Sequence, residues 1–543
     1  MTSPMKERSH SWTQAEPSDD VWDQAFGALV AAGVTDVFGL PDDDMRAMGA
    51  IERQGLRLHR VVRQATAVHM ASGHAASGRS VGACVLGRGP AVAAAVPGLL
   101  EAWESGRPMV VLASGTAEVL RGTGAFQDAP TVEMVRPITK RAHRVTDPAL
   151  IDHEVTEALG IAQAAPAGPV YLEIPDREAQ APEDRHCDAA PIVDICDLAG
   201  ELSAAQRPLL LLGSGAGDVP PTELVGLAEQ LGAGVVVTAS GRGCFPEGHP
   251  AFLGLSGLYL LPEVAPYVRE ADMVLALGSR LEETALVGMP MGGGTQWLQV
   301  NLAPEHLVRR LPGLCAVADV SQLTALHPQS SAGHPWAEAV AQARADCYEA
   351  LHRDIDSRAA QVLAYLSDGL PEGAVTVHEN GLHDIWSYSF PHLQLPQGSR
   401  SVVLSEQTTL GGGVAAAAGI AAAGQSLVVC LTGDTALSTL SPDLHDILGR
   451  PCPLLYVVFD DGGMGWLDRE ARGSGVEERF VGGSGFLDTI NPEHVIVANN
   501  PSSLCTDAIL AVERSLADIP TLLWVPVAHD DVAPQLRDEG SAA

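Results

Sequence analysis

Lysine is almost missing from this chain. Among 543 residues only Lys6 and Lys140 occur, so positive charge rests on arginine and Lys140 is the one credible Schiff-base lysine. Basic charge as a whole is scarce: 33 Lys and Arg stand against 67 Asp and Glu, a net charge of −34. Nucleic acid and anionic membrane are thereby excluded as partners, because both would repel such a surface. Uncharged apolar runs of transmembrane length are absent, and "MTSPMKERSHSWTQAEPSDD" lacks the apolar core of a signal peptide. The nine cysteines are odd in number and form no CxxC pair, which argues against a disulfide framework or a paired-cysteine zinc site. A reducing cytoplasmic setting is expected. Aromatics make up only 4% of the chain, and no repeat at a solenoid period is evident.

Apolar residues make up 46% of the chain, too much for a single core at this length, so several domains are expected. Short apolar runs alternate with helix-like stretches, the pattern of parallel α/β layers. Strand candidates are 36–41, 80–87, 107–115 and 168–175 in the first third, then 207–215, 232–240, 271–280 and 295–302. The last third offers 399–406, 426–434, 453–461, 494–500 and 519–527. A polar Asp/Pro-rich connection near 176–193 and a charged helical stretch near 334–366 separate the thirds. The pattern predicts an α/β protein of three doubly wound parallel-sheet domains, at 19–180, 193–330 and 360–530. Residues 1–18 and the tail from about 529 are polar and expected to fray.

Two strand ends in the last third carry acids. Gly433-Asp434 closes one apolar run, "SPDLHDIL" reads as a crossover helix, and Asp460-Asp461 closes the next. Open parallel sheets bind ligands beyond the carboxyl ends of their strands, and this unit brings Asp434 and Asp461 to one rim. Two carboxylates beside glycine backbone suit Mg²⁺, which favours oxygen ligands and often also holds phosphate. Thr435 would add donors at the following helix start. On spacing alone the pair fits two solvated turns equally well.

Longer segments resolve this by resemblance. The stretch from Gly433 to Gly463 resembles the diphosphate motif of thiamine-diphosphate (ThDP) enzymes: Gly-Asp-Gly, about two dozen residues, then Asn-Asn. "GVTDVFGLPDDD" (33–44), with Pro41, resembles the opening of that family's pyrimidine-binding domain. "GRGPAVAAAVPGLLEAWESGRPMVVLASG" (87–115) is similar to its Gly-Pro-Gly segment. "GTGAFQDAPTVEMVRPITKRAHRV" (122–145) carries the Phe-Gln and Lys of the acetolactate synthase-like branch, as Phe126, Gln127 and Lys140. "ENGLHDIWSYS" (379–389) resembles the start of the diphosphate domain, and "TTLGGGVAAAAGIAAAG" (408–424) the segment that bends the cofactor into a V.

The resemblance implies ThDP and Mg²⁺ as cofactors. Asp434, Asp461 and the Gly463 carbonyl would hold the metal. Gly433, Thr435, His383, Thr409, Leu410 and Pro41 would hold the cofactor, with Leu410 enforcing the V. Gln127 and Phe126 would face the reacting centre. It also implies a homodimer or homotetramer, because the family builds each site from the pyrimidine domain of one chain and the diphosphate domain of another. The middle third would be the central domain, which carries FAD in some members; "GSGAG" (213–217) and "GSR" (278–280) are compatible with FAD, though an empty domain fits better.

Three departures stand out. Where the family places the glutamate that exchanges a proton with N1′ of the aminopyrimidine, "VVRQATAVHMA" puts Gln64, with Glu52 twelve residues upstream and out of register. Glutamine keeps a hydrogen bond but not the exchange; one branch, glyoxylate carboligase, works with an apolar residue there. Asp461 stands where asparagine is usual, with Arg88 as a candidate counter-charge. "WLDREARGSGVEERF" (466–480) does not resemble the segment that helps acetolactate synthases choose substrate. Two function classes follow: a 2-oxo acid decarboxylase or carboligase with an atypical site, or a non-catalytic paralogue acting as partner subunit. A nucleotide-binding role for the central domain ranks third. Trp386 and Trp466 read as packing residues, and His69 and His74 as structural.

Overall fold

The computed structural model describes residues 20–40, 45–77, 81–175, 189–292, 294–327, 329–330, 332–403, 407–424, 426–476, 480, 484–529 and 531–537. Among them, no helix is long and apolar enough to cross a membrane. Among the described residues eighteen strands form three six-stranded sheets, every pair parallel. The first sheet contains β1 (Asp36–Leu40), β2 (Arg57–Arg60), β3 (Gly82–Leu86), β4 (Met109–Gly115), β5 (Arg141–Arg144) and β6 (Pro169–Pro175). The second contains β7 (Pro208–Leu212), β8 (Gly234–Val237), β9 (Phe252–Leu255), β10 (Met273–Leu277), β11 (Gln296–Asn301) and β12 (Gly313–Val317). The third contains β13 (Val375–His378), β14 (Arg400–Val403), β15 (Val428–Gly433), β16 (Leu454–Asp460), β17 (Val495–Val497) and β18 (Thr521–Pro526).

The strand orders are informative. The first sheet runs β2-β1-β3-β4-β6-β5 and the third β14-β13-β15-β16-β18-β17, one topology used twice. The second runs β12-β11-β10-β7-β8-β9, the doubly wound order of dinucleotide-binding folds. Helices cover both faces, so inner strands such as "VVCLT" and "LLYVVF" are buried from end to end, as parallel sheets require.

Contacts gather the chain into two compact units: Met1–Glu183 with Trp466–Phe480, and Asp184–Gly465 with Val481–Ala543. The first sheet lies in one and the other two sheets share the second. The sharing has a local cause. One apolar core takes in Leu210, Val235 and Phe245 of the second sheet's layer together with Tyr388 and Phe390 from beyond β13. Arg242 pins the same seam. Fully buried, it pairs with Glu247 at 2.8 Å and donates to the carbonyls of Ser387 and Leu393.

A second device holds the helix Leu382–Tyr388. The expectation of a frayed tail from about 529 does not hold for 531–537, because this segment is latched onto that helix. Trp386 Nε1 donates to the Asp531 carbonyl (3.0 Å), Ser389 bonds Gln535, and Arg537 reaches Asp354 (2.5 Å), which also holds His392 (2.8 Å). Burial pushes the Asp354 carboxyl up, but the hydrogen bonds from His392 and Arg537 outweigh it and hold it below the usual range. A carboxylate depressed by folding stabilises the fold above its unfolded pKa of about 3.9, and that gain vanishes as pH falls through the lower folded value. Asp354→Asn should therefore cost about 3 kcal/mol at neutral pH, with the gap to wild type closing below about pH 3. Urea unfolding of both chains from pH 7 to about pH 2 measures it; a gap that stays constant below about pH 4 refutes the assignment.

Candidate active site

In the third sheet the order reverses between β13 and β15, the point at which an open α/β sheet offers a crevice at its carboxyl rim. The segments leaving those strands carry the residues singled out in the sequence. Beyond β13 comes Gly381, then the helix Leu382–Tyr388 with His383; beyond β15 comes the short helix Asp434–Ser438, with Gly433 before its first residue. Asp461 and Gly463 follow the next strand, β16. His383 is buried, its ring stacked on Phe459 (centroids 5.8 Å, planes 11° apart), and its Nε2 has no hydrogen-bond partner. Burial pushes the imidazole down to about 4, so at neutral pH it carries one N–H and no charge. Gly433 lies beside that ring: a Cβ there would sit 3.3 Å from His383 Nδ1.

Asp434 is 1% exposed and its Oδ2 also lacks a partner. Burial, then the charges of Asp461 and Asp460, push this carboxyl up to about 7. An acid so disposed calls for a cation. Half-buried Asp461 is raised by burial as well; its Oδ1 accepts from the Gly463 N–H (3.1 Å), and His529 beside it favours the anion. His529, bonded to the Asp461 carbonyl (3.3 Å), is thus the basic group found next to the extra acid. Arg88 belongs to the first unit, where it lines a shallow cleft with Gly89, Ser114, Thr116 and Gln127. The Thr435 hydroxyl donates to the Gly463 carbonyl (2.8 Å), tying the two strand-end loops together and leaving that carbonyl a second lone pair. No group of three or more His, Cys, Asp or Glu fit for a metal occurs among the described residues, so any ion here would take two carboxylates, a carbonyl and outside oxygens.

Leu410 lies half-buried in a turn with exposed Thr409, closed by Gly412 N–H donating to the Thr409 carbonyl (2.9 Å). Gly411 has φ +85°, and a Cβ there would lie 2.1 Å from Thr439 Oγ1. Only glycine lets this turn press against the end of the Asp434 helix. Pro41 lies outside the described residues.

In the first unit, Gln64 is the first residue of the helix Gln64–Ala76, and its Oε1 is buried without a partner. Phe126 and Gln127 are half-buried in the loop after β4, and Gln127 holds φ +58°, uncommon for a residue with a side chain. Lys140 is engaged: its Nζ donates to the carbonyls of Ile161 and Ala164, both at 2.5 Å, closing the end of the helix Ile151–Gln163. Trp386 is packed, and His69 is exposed on its helix.

The central sheet's glycines have a packing reason. Gly215 N–H donates to the Gly278 carbonyl (3.0 Å), and a Cβ on Gly215 would lie 2.9 Å from Gly278 Cα. The two turns meet backbone to backbone, which gives these glycines a packing role.

Residues 20–134 match the family described as thiamine pyrophosphate enzyme, N-terminal TPP binding domain. Residues 195–326 match the central domain of the same enzymes and 379–501 their C-terminal TPP binding domain. The chain belongs to the thiamine-diphosphate enzyme family. Within the family it is similar to acetolactate synthases. The acetolactate synthase large subunit of Lactococcus lactis is 24% identical over 93% of this chain and 92% of its own length. Acetolactate synthase 2, chloroplastic, of Zea mays is 26% identical over 99% and 90%. The acetolactate synthase isozyme 2 large subunit of Escherichia coli is 24% identical over 87% and 88%. Both ThDP-binding domains of the family are present; His383 and Asp434 offer unpartnered buried atoms in the second unit, and Gln64 offers one in the first. Sequence reading missed Phe459, His529 and Glu379; Phe459 and Glu379 lie inside segments already quoted, but the roles of all three appear only in the folded arrangement.

Proposed function

We propose that this chain is a ThDP- and Mg²⁺-dependent enzyme acting on a 2-oxo acid by decarboxylation, carboligation or both. The observation that carries this reading is the set of buried polar atoms without partners, Gln64 Oε1, His383 Nε2 and Asp434 Oδ2, at three positions that the family devotes to its cofactor. Buried polar groups are almost always hydrogen-bonded, so three orphans at such positions point to a missing ligand. When bound, ThDP supplies a thiazolium carbon that adds to the 2-oxo carbonyl and takes up the electron pair released as CO₂ leaves.

The residues of the chain then divide the work. Asp434, Asp461 and the Gly463 carbonyl would hold Mg²⁺, and His383 would turn its unpartnered Nε2 to the diphosphate. Gly433 and Thr435 offer backbone N–H groups at the helix start. Leu410, with Thr409 in the same turn, would support the cofactor. Gln64 accepts or donates one hydrogen bond at N1′ of the aminopyrimidine and exchanges no proton there. Gln127 and Phe126 orient the 2-oxo acid. The assembly is at least a homodimer in the cytoplasm. A second reading has one specific support, Gln64 itself: a non-catalytic paralogue that binds ThDP weakly or not at all and serves as partner subunit.

Mass spectrometry of small molecules released from the purified protein, followed by a panel of 2-oxo acids with ThDP and Mg²⁺, tests both. Bound ThDP with product formation supports the enzyme; little or no bound ThDP and no turnover of any acid favour the partner subunit.

Asp461 gives a graded test. Asp461→Asn removes one negative charge near the diphosphate while keeping an oxygen for the Gly463 N–H. ThDP should bind about 1–2 kcal/mol more tightly, roughly 5- to 30-fold in Kd, from Coulomb energy at an effective dielectric of about 20. Calorimetric titration in Mg²⁺ reads the change. Weaker binding would mean that His529 and the loop amides have fitted the site to an aspartate.

A further inference from the structure

Glu379 is wholly buried, 0% exposed, at the end of β13. Its carboxylate is fully engaged by backbone. Oε1 accepts from the Asn380 N–H (3.1 Å), and Oε2 from the N–H groups of Gly413 (2.7 Å) and Val414 (3.3 Å). Those two donors open the helix Gly412–Ala421, whose preceding residue Gly411 has no side chain to cap it. Glu379 is therefore a cap supplied from 34 residues upstream. On its own side of the sheet it stands two residues before Gly381 and four before His383; across the crevice its two acceptor bonds fix the first turn after Leu410. Burial pushes this carboxyl above the usual range, and the backbone N–H groups and the positive helix end offset that cost only in part.

We propose that Glu379 is a positioning residue for the cofactor. It locks the Leu410 turn to the His383 segment, so that the group under the bend of the cofactor and the donor to its diphosphate keep one fixed spacing. The proposal rests on the reading of Leu410 as the support of bound ThDP. Glu379 touches neither cofactor nor substrate. Glu379→Gln turns one carboxylate oxygen into an amide that faces N–H donors, which loosens one of the two ties. A support displaced by a fraction of an ångström disturbs the reactive conformation more than the binding energy, because the diphosphate and metal contacts remain.

The test compares wild type, Glu379→Gln, Leu410→Ala and the double variant. Calorimetry gives the Kd for ThDP with Mg²⁺, near-ultraviolet circular dichroism reports the bound aminopyrimidine, and quenched deuterium exchange read by proton NMR gives the C2-proton exchange rate. Glu379→Gln should slow exchange about 10- to 100-fold, alter the dichroism of the bound cofactor and change Kd less than about threefold. In the Leu410→Ala background it should add nothing, since both changes remove one support. Unchanged exchange, or full additivity with Leu410→Ala, overturns the proposal. Leu410→Ala exchanging like wild type overturns the placement of Leu410 and this proposal together, whereas slow Leu410→Ala with normal Glu379→Gln overturns the proposal alone. If Glu379→Gln does not fold, Gly413→Ala carries the same test, because its Cβ would sit 3.0 Å from Glu379 Oε2 and crowd the carboxylate.

Discussion

Replacing Asp434 by alanine should abolish Mg²⁺-dependent ThDP binding, a loss of more than about 100-fold in Kd. Three observations converge on this carboxylate. It begins the helix after β15, at the point where the strand order reverses. It is 1% exposed, and its Oδ2 meets no donor. Its acid is pushed up to about 7 by burial first and by Asp461 and Asp460 next, so the bare protein gains nothing from keeping it ionised. A divalent cation reverses that balance, because a bound ion is the largest local charge and makes the buried anion favourable. Without Asp434 the pair becomes a single carboxylate, and Asp461 is already bonded to its own loop amides. Titrating ThDP into wild type and Asp434→Ala, each with and without Mg²⁺, gives four affinities. Wild type should bind tightly only with the metal, and Asp434→Ala weakly in both conditions. Equal affinities in all four would remove the metal assignment. Since the side chain is wholly internal, apo stability of the variant should rise or hold, which separates lost ligation from misfolding.

The fold class was legible because its inner strands are apolar from end to end. Runs such as "RPLLLLGSG" and "SLVVCLTGD" have no other comfortable place than a covered parallel sheet. Five strands escaped the same reading, and four of them, β2, β5, β9 and β12, lie at sheet edges. An edge strand has one neighbour and a solvated side, so "RLHR" and "RAHR" can pair without an apolar run; charge there also discourages pairing with other chains. The fifth, β13, is interior but reads "VTVH". Its Thr376 and His378 are fully or nearly fully buried because they satisfy one another (3.2 Å) and His378 also bonds Ser387 (2.7 Å), a compensation invisible in sequence. The candidate site divides in the same way. Asp434 and Asp461 could be named because they stand at fixed steps from strand ends, and Gln64 because "VVRQATAVHMA" resembles the family segment that carries the glutamate. Glu379 and His529 act across 34 and 68 residues respectively, through contacts that only the folded chain creates. The joining of the second and third sheets into one unit was equally hidden, since it depends on one buried arginine and on aromatic residues beyond β13.

Gln64→Glu should speed exchange of the C2 proton of bound ThDP by about 10²–10⁴-fold, the range that a well-placed acid–base group contributes. The geometry allows the swap. Gln64 heads its helix with a buried, unpartnered oxygen, and glutamate has nearly the same size and reach. Its carboxyl at the positive end of the helix also meets a favourable dipole. What changes is chemistry alone: an amide can share a hydrogen bond with N1′ but cannot pass a proton, and a carboxyl can. Turnover decides among the remaining readings. If the chain is an enzyme that merely tolerates glutamine, turnover of its 2-oxo acid rises with exchange. If later steps are built around an unprotonated N1′, exchange quickens while turnover of the true substrate falls. If the chain is a partner subunit, wild type shows no exchange above free ThDP and no turnover of any 2-oxo acid. Wild-type exchange already as fast as in glutamate-bearing relatives would show that Gln64 does not face N1′, and would withdraw its assignment as the site's principal departure from the family.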